Sequence, residues 1–158
     1  MRKSTKARQG HDHNHCIEDA VAAAERLCTA KGLRFTLLRR RVLELVWSGH
    51  KPVGAYALLD QLRDEGLGSA PPTIYRALDF LLEQKFIHRV VSLNAYIACI
   101  DLDHPHQGQF VICTKCGSTA EIHAEGITSG LNREGRALGF KVEHQVIELS
   151  GLCTRCQA

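Results

Sequence analysis

From Ile17 onward the apolar residues recur at helical spacing. Ile17, Val21, Ala24 and Cys28 fall on one face, and Gly32 offers the stop. A second helix follows Thr36, a plausible N-cap, with Leu38, Val42, Leu45 and Val46 on its inner side; His50-Lys-Pro52 ends it. A third, from about Gly54 to Glu65, buries Ala55, Leu58, Leu59 and Leu62, and Gly66-Leu-Gly68-Ser makes a turn. The fourth opens on Pro71-Pro72, residues suited to a first helical turn where no N–H is needed. Its inward stripe is Ile74, Leu78, Leu81 and Leu82, and it runs to about Glu83. The period then changes to two. Phe86–Val91 and Ala95–Ile100 read as strands joined by a turn at Ser92–Asn94. Short helices followed by a hairpin make the winged form of helix-turn-helix.

The pattern resumes after Asp101–Gly108, a hinge-like loop. Gln109–Cys113 and Ser118–His123 read as strands, followed by a helix from about Glu125 to Leu138 with Ile127, Leu131 and Leu138 on one side. Gly130 and Gly135 weaken that helix, each by about 1 kcal/mol relative to Ala. Phe140–Leu149 alternates like a further strand. The fold class is therefore α+β: a disordered basic, His-rich arm over 1–16, a winged-helix domain over 17–100, a hinge over 101–108 and a small α/β domain over 109–158.

Composition narrows the function classes. A hydrophobic fraction of 44% in 158 residues suits a globular protein. No apolar run reaches the roughly 20 residues of a membrane span, and no signal-type segment follows the basic N-terminus. These features predict a cytoplasmic protein, where seven cysteines stay reduced and favour metal over disulfide. Net charge is +3 and unevenly spread: the region to Val90 carries the basic excess, so that half is the one to meet a polyanion.

Two Cys-x-x-Cys pairs, Cys113/Cys116 and Cys153/Cys156, carry the most specific chemistry. Each presents two thiolates in one direction, and two pairs close a tetrahedral zinc site of the structural kind. A redox role is disfavoured because neither pair opens a helix after a strand, where low-pKa thiols arise. Zinc would then staple the ends of the α/β domain. Cys28 reads as a small core residue, and the His11–Cys16 tract as a solvated tail.

The fourth helix carries the second line of chemistry. Arg76 points away from the inward stripe, and arginine near a helix start can read guanine in the major groove. Tyr75 would meet a thymine methyl or a phosphate, and Thr73 a phosphate; Arg39-Arg40-Arg41 adds positive charge. The expected partner is double-stranded DNA. A third constellation is His88, Cys99, His106 and Glu121. Sequence spacing does not show that these four meet. Were they to converge on the hinge, one thiolate, two imidazoles and a carboxylate would favour zinc over a harder ion.

These strings together resemble the ferric uptake regulator family, in its zinc uptake regulator branch. The resemblance runs from Ile17 to Cys156. It rests on residues 32–43, 55–60 and 71–84, the last reading Pro-Pro-Thr-Ile-Tyr-Arg-Ala-Leu-Asp-Phe-Leu-Leu-Glu-Gln, and on 113–117, 144–148 and 151–156. It implies a homodimeric repressor, activated by zinc, that binds a palindromic operator and controls zinc-uptake genes. Each subunit would hold one structural zinc on Cys113, Cys116, Cys153 and Cys156 and one regulatory zinc on His88, Cys99, His106 and Glu121. Tyr56, Tyr75 and Arg76 fall where that branch contacts DNA. Leu37 stands where the family usually has proline. His104-Pro-His106 lies further from the first cysteine pair than in many relatives, leaving open which histidine binds. His123 could supplement a ligand, and His144 could join a peripheral site with Asp103 or His104. Exposed Asp60 and Arg63 read as a solvated helical pair that could also link two dimers on one operator. An iron or peroxide sensor is the nearest rival, and Cys99 argues against it; a zinc hydrolase would need an open metal position that four ligands fill.

Overall fold

The computed structural model describes residues 13–49, 51–67, 70–104 and 106–157; the arm over 1–12, His50, Gly68–Ser69, Pro105 and Ala158 lie outside the described residues. The described residues divide into two units, 13–106 and 107–157.

In the first unit, α1 (His13–Ala30), α2 (Leu37–Trp47), α3 (Ala55–Asp64) and α4 (Pro71–Glu83) precede a hairpin of β1 (Ile87–Val90) and β2 (Ala95–Ala98). Helix α1 begins at His13, inside the stretch expected to be a disordered arm, and His15 Nε2 lies 3.5 Å from Asp19 one turn on. It ends before Gly32, whose φ of 67° needs no Cβ. Thr36 caps α2 by accepting from the Arg39 N–H, so Leu37 in place of proline leaves the helix start intact. Val42, Leu43, Val46, Leu58, Leu62, Ile74, Leu78, Leu81, Phe86 and Ile87 form one buried core. The α4 stripe is broader than the sequence predicts. Ala77 and Phe80 are buried too, while Leu82 is half-buried, because α2, α3 and β1 all pack on this helix.

The hairpin pairs Ile87 with Ala98 through to Val90 with Ala95, and Asn94 turns it with φ at 45°. Val53 exchanges two 2.8 Å backbone bonds with Tyr96 just before α3 begins, tying the wing to the helices. Arg39, Arg40 and Arg41, expected to add charge for DNA, are engaged within the unit instead. The Arg39 guanidinium lies 3.6 Å over the Phe80 ring and donates to the Arg34 carbonyl. Arg40 meets Glu25 at 2.9 Å, and Arg41 meets Glu44 at 2.6 Å and Glu65 through two bonds of 2.7 Å. These pairs pin α2 to α1 and to the end of α3.

In the second unit β3 (Gln109–Cys113) is central, with β4 (Thr119–Glu121) antiparallel on one side and β5 (Ile147–Gly151) parallel on the other. Helix α5 (Glu125–Ala137) crosses between β4 and β5. Its N-cap, Ala124, has no capping side chain. Buried Gln109 serves instead: its Oε1 accepts the Ala124 N–H at 3.2 Å and its Nε2 donates to Thr128 Oγ1 at 2.7 Å. The strand expected over Phe140–Leu149 starts only at Ile147. The preceding segment runs back along α5: Gly139 turns with φ at 82°, Val142 packs on Gly135, and Gln145 bonds the Thr128 carbonyl at 3.2 Å. The expected strand over Ser118–His123 shortens to Thr119–Glu121. Ile127, Leu131, Leu138 and Phe140 remain exposed, Leu138 at 77%.

Candidate metal centres and nucleic-acid interface

Parallel pairing sets Cys113, the last residue of β3, beside Gly151, the last residue of β5, so the two cysteine turns leave the sheet side by side. Each is closed by its own backbone bond, Gly117 N–H to the Cys113 carbonyl at 2.9 Å and Cys156 N–H to the Cys153 carbonyl at 2.8 Å. The four sulfurs lie within 4.8 Å of one another. Cys116 and Cys153 are 3.7 Å apart, too far for a disulfide and close to the edge of about 3.8 Å that 2.3 Å zinc–sulfur bonds give a tetrahedron. Backbone N–H groups, that of Cys153 foremost, pull the Cys113 thiol down to about 6. Its sulfur neighbours, Cys153 first, push Cys156 up to about 12. Four thiols this close cannot ionise together without a cation among them. The residues fit zinc, which would hold β3 to β5.

Among the described residues one other group has this ligand spacing: His88, Cys99 and His106, all in the first unit. His88 opposes Ile97 in the hairpin register, so Cys99, two residues beyond Ile97, shares its sheet face. His88 and Cys99 are buried. The His88 and His106 rings are 4.9 Å apart, and Cys99 Sγ lies 3.9 Å from His106 Nε2. A tetrahedral zinc would draw that sulfur and nitrogen to about 3.6 Å. The His106 tautomer is set for this. Its Nδ1–H donates to the His104 carbonyl at 2.8 Å, leaving the Nε2 lone pair toward Cys99. His104 itself faces Asp101 at 2.9 Å and is not in the group. Glu121 lies in the second unit on β4, opposite Phe110 and 6% exposed. His123 and His144 are exposed there and join no ligand group among the described residues. Sequence reading missed the bond from His106 Nδ1 to the His104 carbonyl and the nearby pair of Arg26 with Asp103, residues far apart with no spacing signal.

On α4, Thr73, Tyr75 and Arg76 are exposed, Tyr75 at 40%, and Tyr56 at the start of α3 is 72% exposed. Among the described residues Arg76 carries no ion pair, unlike Arg40 and Arg41 of α2. Asp60 and Arg63 pair with each other at 3.5 Å within α3.

Four helices closed by a hairpin, a tetrathiolate cluster and a second cluster of mixed ligands define a winged-helix protein of the metal-binding kind. The profile of the ferric uptake regulator family matches residues 30–150. The chain is 41% identical to the zinc uptake regulation protein of Escherichia coli over 88% of its length and 82% of that protein's, and 26% identical to that of Mycobacterium tuberculosis over 82% and 99%. It is similar to a solved zinc uptake regulator complexed with zinc and DNA, with a TM-score of 0.85, 41% identity and coverage of 89% and 95%. It is also similar to holo XcZur, with a TM-score of 0.79, 43% identity and coverage of 88% and 97%. The chain belongs to the ferric uptake regulator family.

Proposed function

We propose that this chain is a zinc-responsive transcriptional repressor of zinc-uptake genes, a homodimer that binds a palindromic operator when a second zinc fills the His88–Cys99–His106 group. One observation carries the reading: an oriented imidazole nitrogen faces a buried thiol beside a second imidazole, in a chain 41% identical to a zinc uptake regulation protein. A soft sulfur ligand favours zinc over the harder ions that an iron or manganese sensor takes. Glu121, a ligand the family pattern adds, is the fourth donor in this reading, and four donors leave no open position for hydrolysis. The protein is a regulator rather than an enzyme, and its place is the cytoplasm, where DNA lies and thiols stay reduced. No described helix is long and apolar enough to cross a membrane. Exposed Ile127 and Leu131 on α5, with Leu138 at its C-cap, supply an apolar face for the second subunit. The outward α4 residues Thr73, Tyr75 and Arg76, with Tyr56, serve as the DNA contacts, and a two-fold dimer presents two such helices to two half-sites.

The test is fluorescence anisotropy of a labelled inverted-repeat operator, titrated with protein that holds only its Cys113–Cys156 zinc, at buffered free Zn²⁺. Affinity rises tenfold or more, about 1.4 kcal/mol of coupling, as the second zinc binds. Cys99→Ser removes that response and leaves the fold. A Cys99→Ser protein that answers zinc like the wild type, or a wild type that answers only Fe²⁺ or Mn²⁺, overturns the reading.

A further inference from the structure

We propose that the segment presenting His106 is preorganised from outside the metal group by a latch, in which Arg26 of α1 grips Asp103. This rests on the zinc reading above. His106 lies seven residues beyond Cys99, outside any helix or strand. Fixing one such residue costs about 1–2 kcal/mol of backbone entropy, so a segment ordered only on binding would weaken the site. Here contacts other than the metal ligands hold the segment. The Cys99 thiol donates to the Asp101 carbonyl at 3.3 Å, and the Asp101 carboxylate faces His104 Nδ1 at 2.9 Å. The His104 carbonyl accepts from His106 Nδ1 at 2.8 Å, while Leu102 packs on the core. All of these contacts except that of Leu102 lie within the segment. Arg26 Nη2 to Asp103 Oδ1, at 3.2 Å, is the ion pair that joins the segment to a helix 77 residues earlier. Helix α1 is a firm anchor because Val21, Ala24 and Cys28 bury its inner face. Asp103 and Arg26 are therefore positioning residues: they touch no metal and act through the place they give His104 and His106.

The latch is solvated, each partner 63% exposed, so its effect is modest. The experiment is competition for the second zinc against a chromophoric chelator, on full-length dimer whose tetrathiolate zinc is filled. Asp103→Asn and Arg26→Gln each weaken the second zinc by about two- to five-fold. The two changes together cost no more than either alone, and the swapped pair Arg26→Asp with Asp103→Arg recovers part of the loss. The thermal midpoint of protein lacking the second zinc stays within error of wild type, so the effect is on the site and not on the fold. Single variants that bind the second zinc as wild type does, or losses that simply add, overturn the latch. His106→Ala separates it from the underlying assignment: this variant loses the second zinc outright, whereas latch variants keep full stoichiometry. Retention of that zinc by His106→Ala sinks the site and the latch together.

Discussion

Replacing Cys156 with serine removes one ligand of the tetrathiolate site and tests what holds the second unit together. Among its described apolar side chains only Phe110, Ile112 and Cys113 are buried. Burial of Phe110 and Ile112 contributes about 1.5–3 kcal/mol each, or about 3–6 kcal/mol together. A structural zinc site contributes about 10 kcal/mol or more. Metal outweighs core here, so the Cys156→Ser chain is expected to lose one zinc per subunit and the pairing of β3 with β5. The assay has to be chosen with care. The chain's single Trp and its three Tyr, at 47, 56, 75 and 96, all lie in the first unit, so intrinsic fluorescence is blind to this event. Hydrogen exchange read by mass spectrometry resolves it. Amides of Gln109–Cys113 and Ile147–Gly151 exchange fast in the variant, while those of α2 and α4 keep wild-type protection. Native mass spectrometry gives the zinc count alongside. Wild-type protection across β3 and β5 in a variant with no zinc at the cluster would refute the reasoning.

Three further outcomes follow from single contacts. Arg76→Ala costs about 1–3 kcal/mol of operator affinity and relaxes preference at one base pair; equal loss on random DNA would mean a phosphate contact only. Gly135→Ala adds a Cβ 2.6 Å from Val142 Cγ2 and destabilises the second unit by about 1–3 kcal/mol in hydrogen exchange, despite the better helix propensity of Ala. Arg41 beside Glu65 holds that carboxyl below its ordinary range, so the pair stabilises the fold above the unfolded value of about 4.3 and loses that contribution as pH falls. The stability gap between wild type and Glu65→Gln, measured by urea melts, should close as the pH is lowered through about 4.

What the sequence made legible was local. Helices α2, α3 and α4 were readable because caps and stripes sit within a few residues of each other, as Thr36 and the Arg39 N–H show. Each Cys-x-x-Cys turn is also a local signal, and only their meeting required the β3–β5 register. The strand expected over Phe140–Leu149 started late because the tie of Val142 and Gln145 to α5 is tertiary and leaves no period. Likewise the Arg39–Arg41 run reads as DNA-facing charge, because two of the carboxylates beside it, Glu25 and Glu65, are distant in sequence. His106 was separable from His104 only through the backbone carbonyl that orients its ring.

Those three arginines have a polyelectrolyte consequence. Each phosphate that a protein neutralises steepens the fall of log affinity with log salt by about 0.9. Arg40 and Arg41 are already paired with Glu25, Glu44 and Glu65, and so contribute less to displacing counterions from a duplex, whereas Arg39, stacked on Phe80, keeps its charge. The protein therefore approaches DNA with a shallower salt slope than its basic half suggests, by up to about two such increments. In the function proposed above, discrimination would then rest more on the contacts of α4, which would leave occupancy of the operator responsive to metal rather than to bulk attraction for the chromosome.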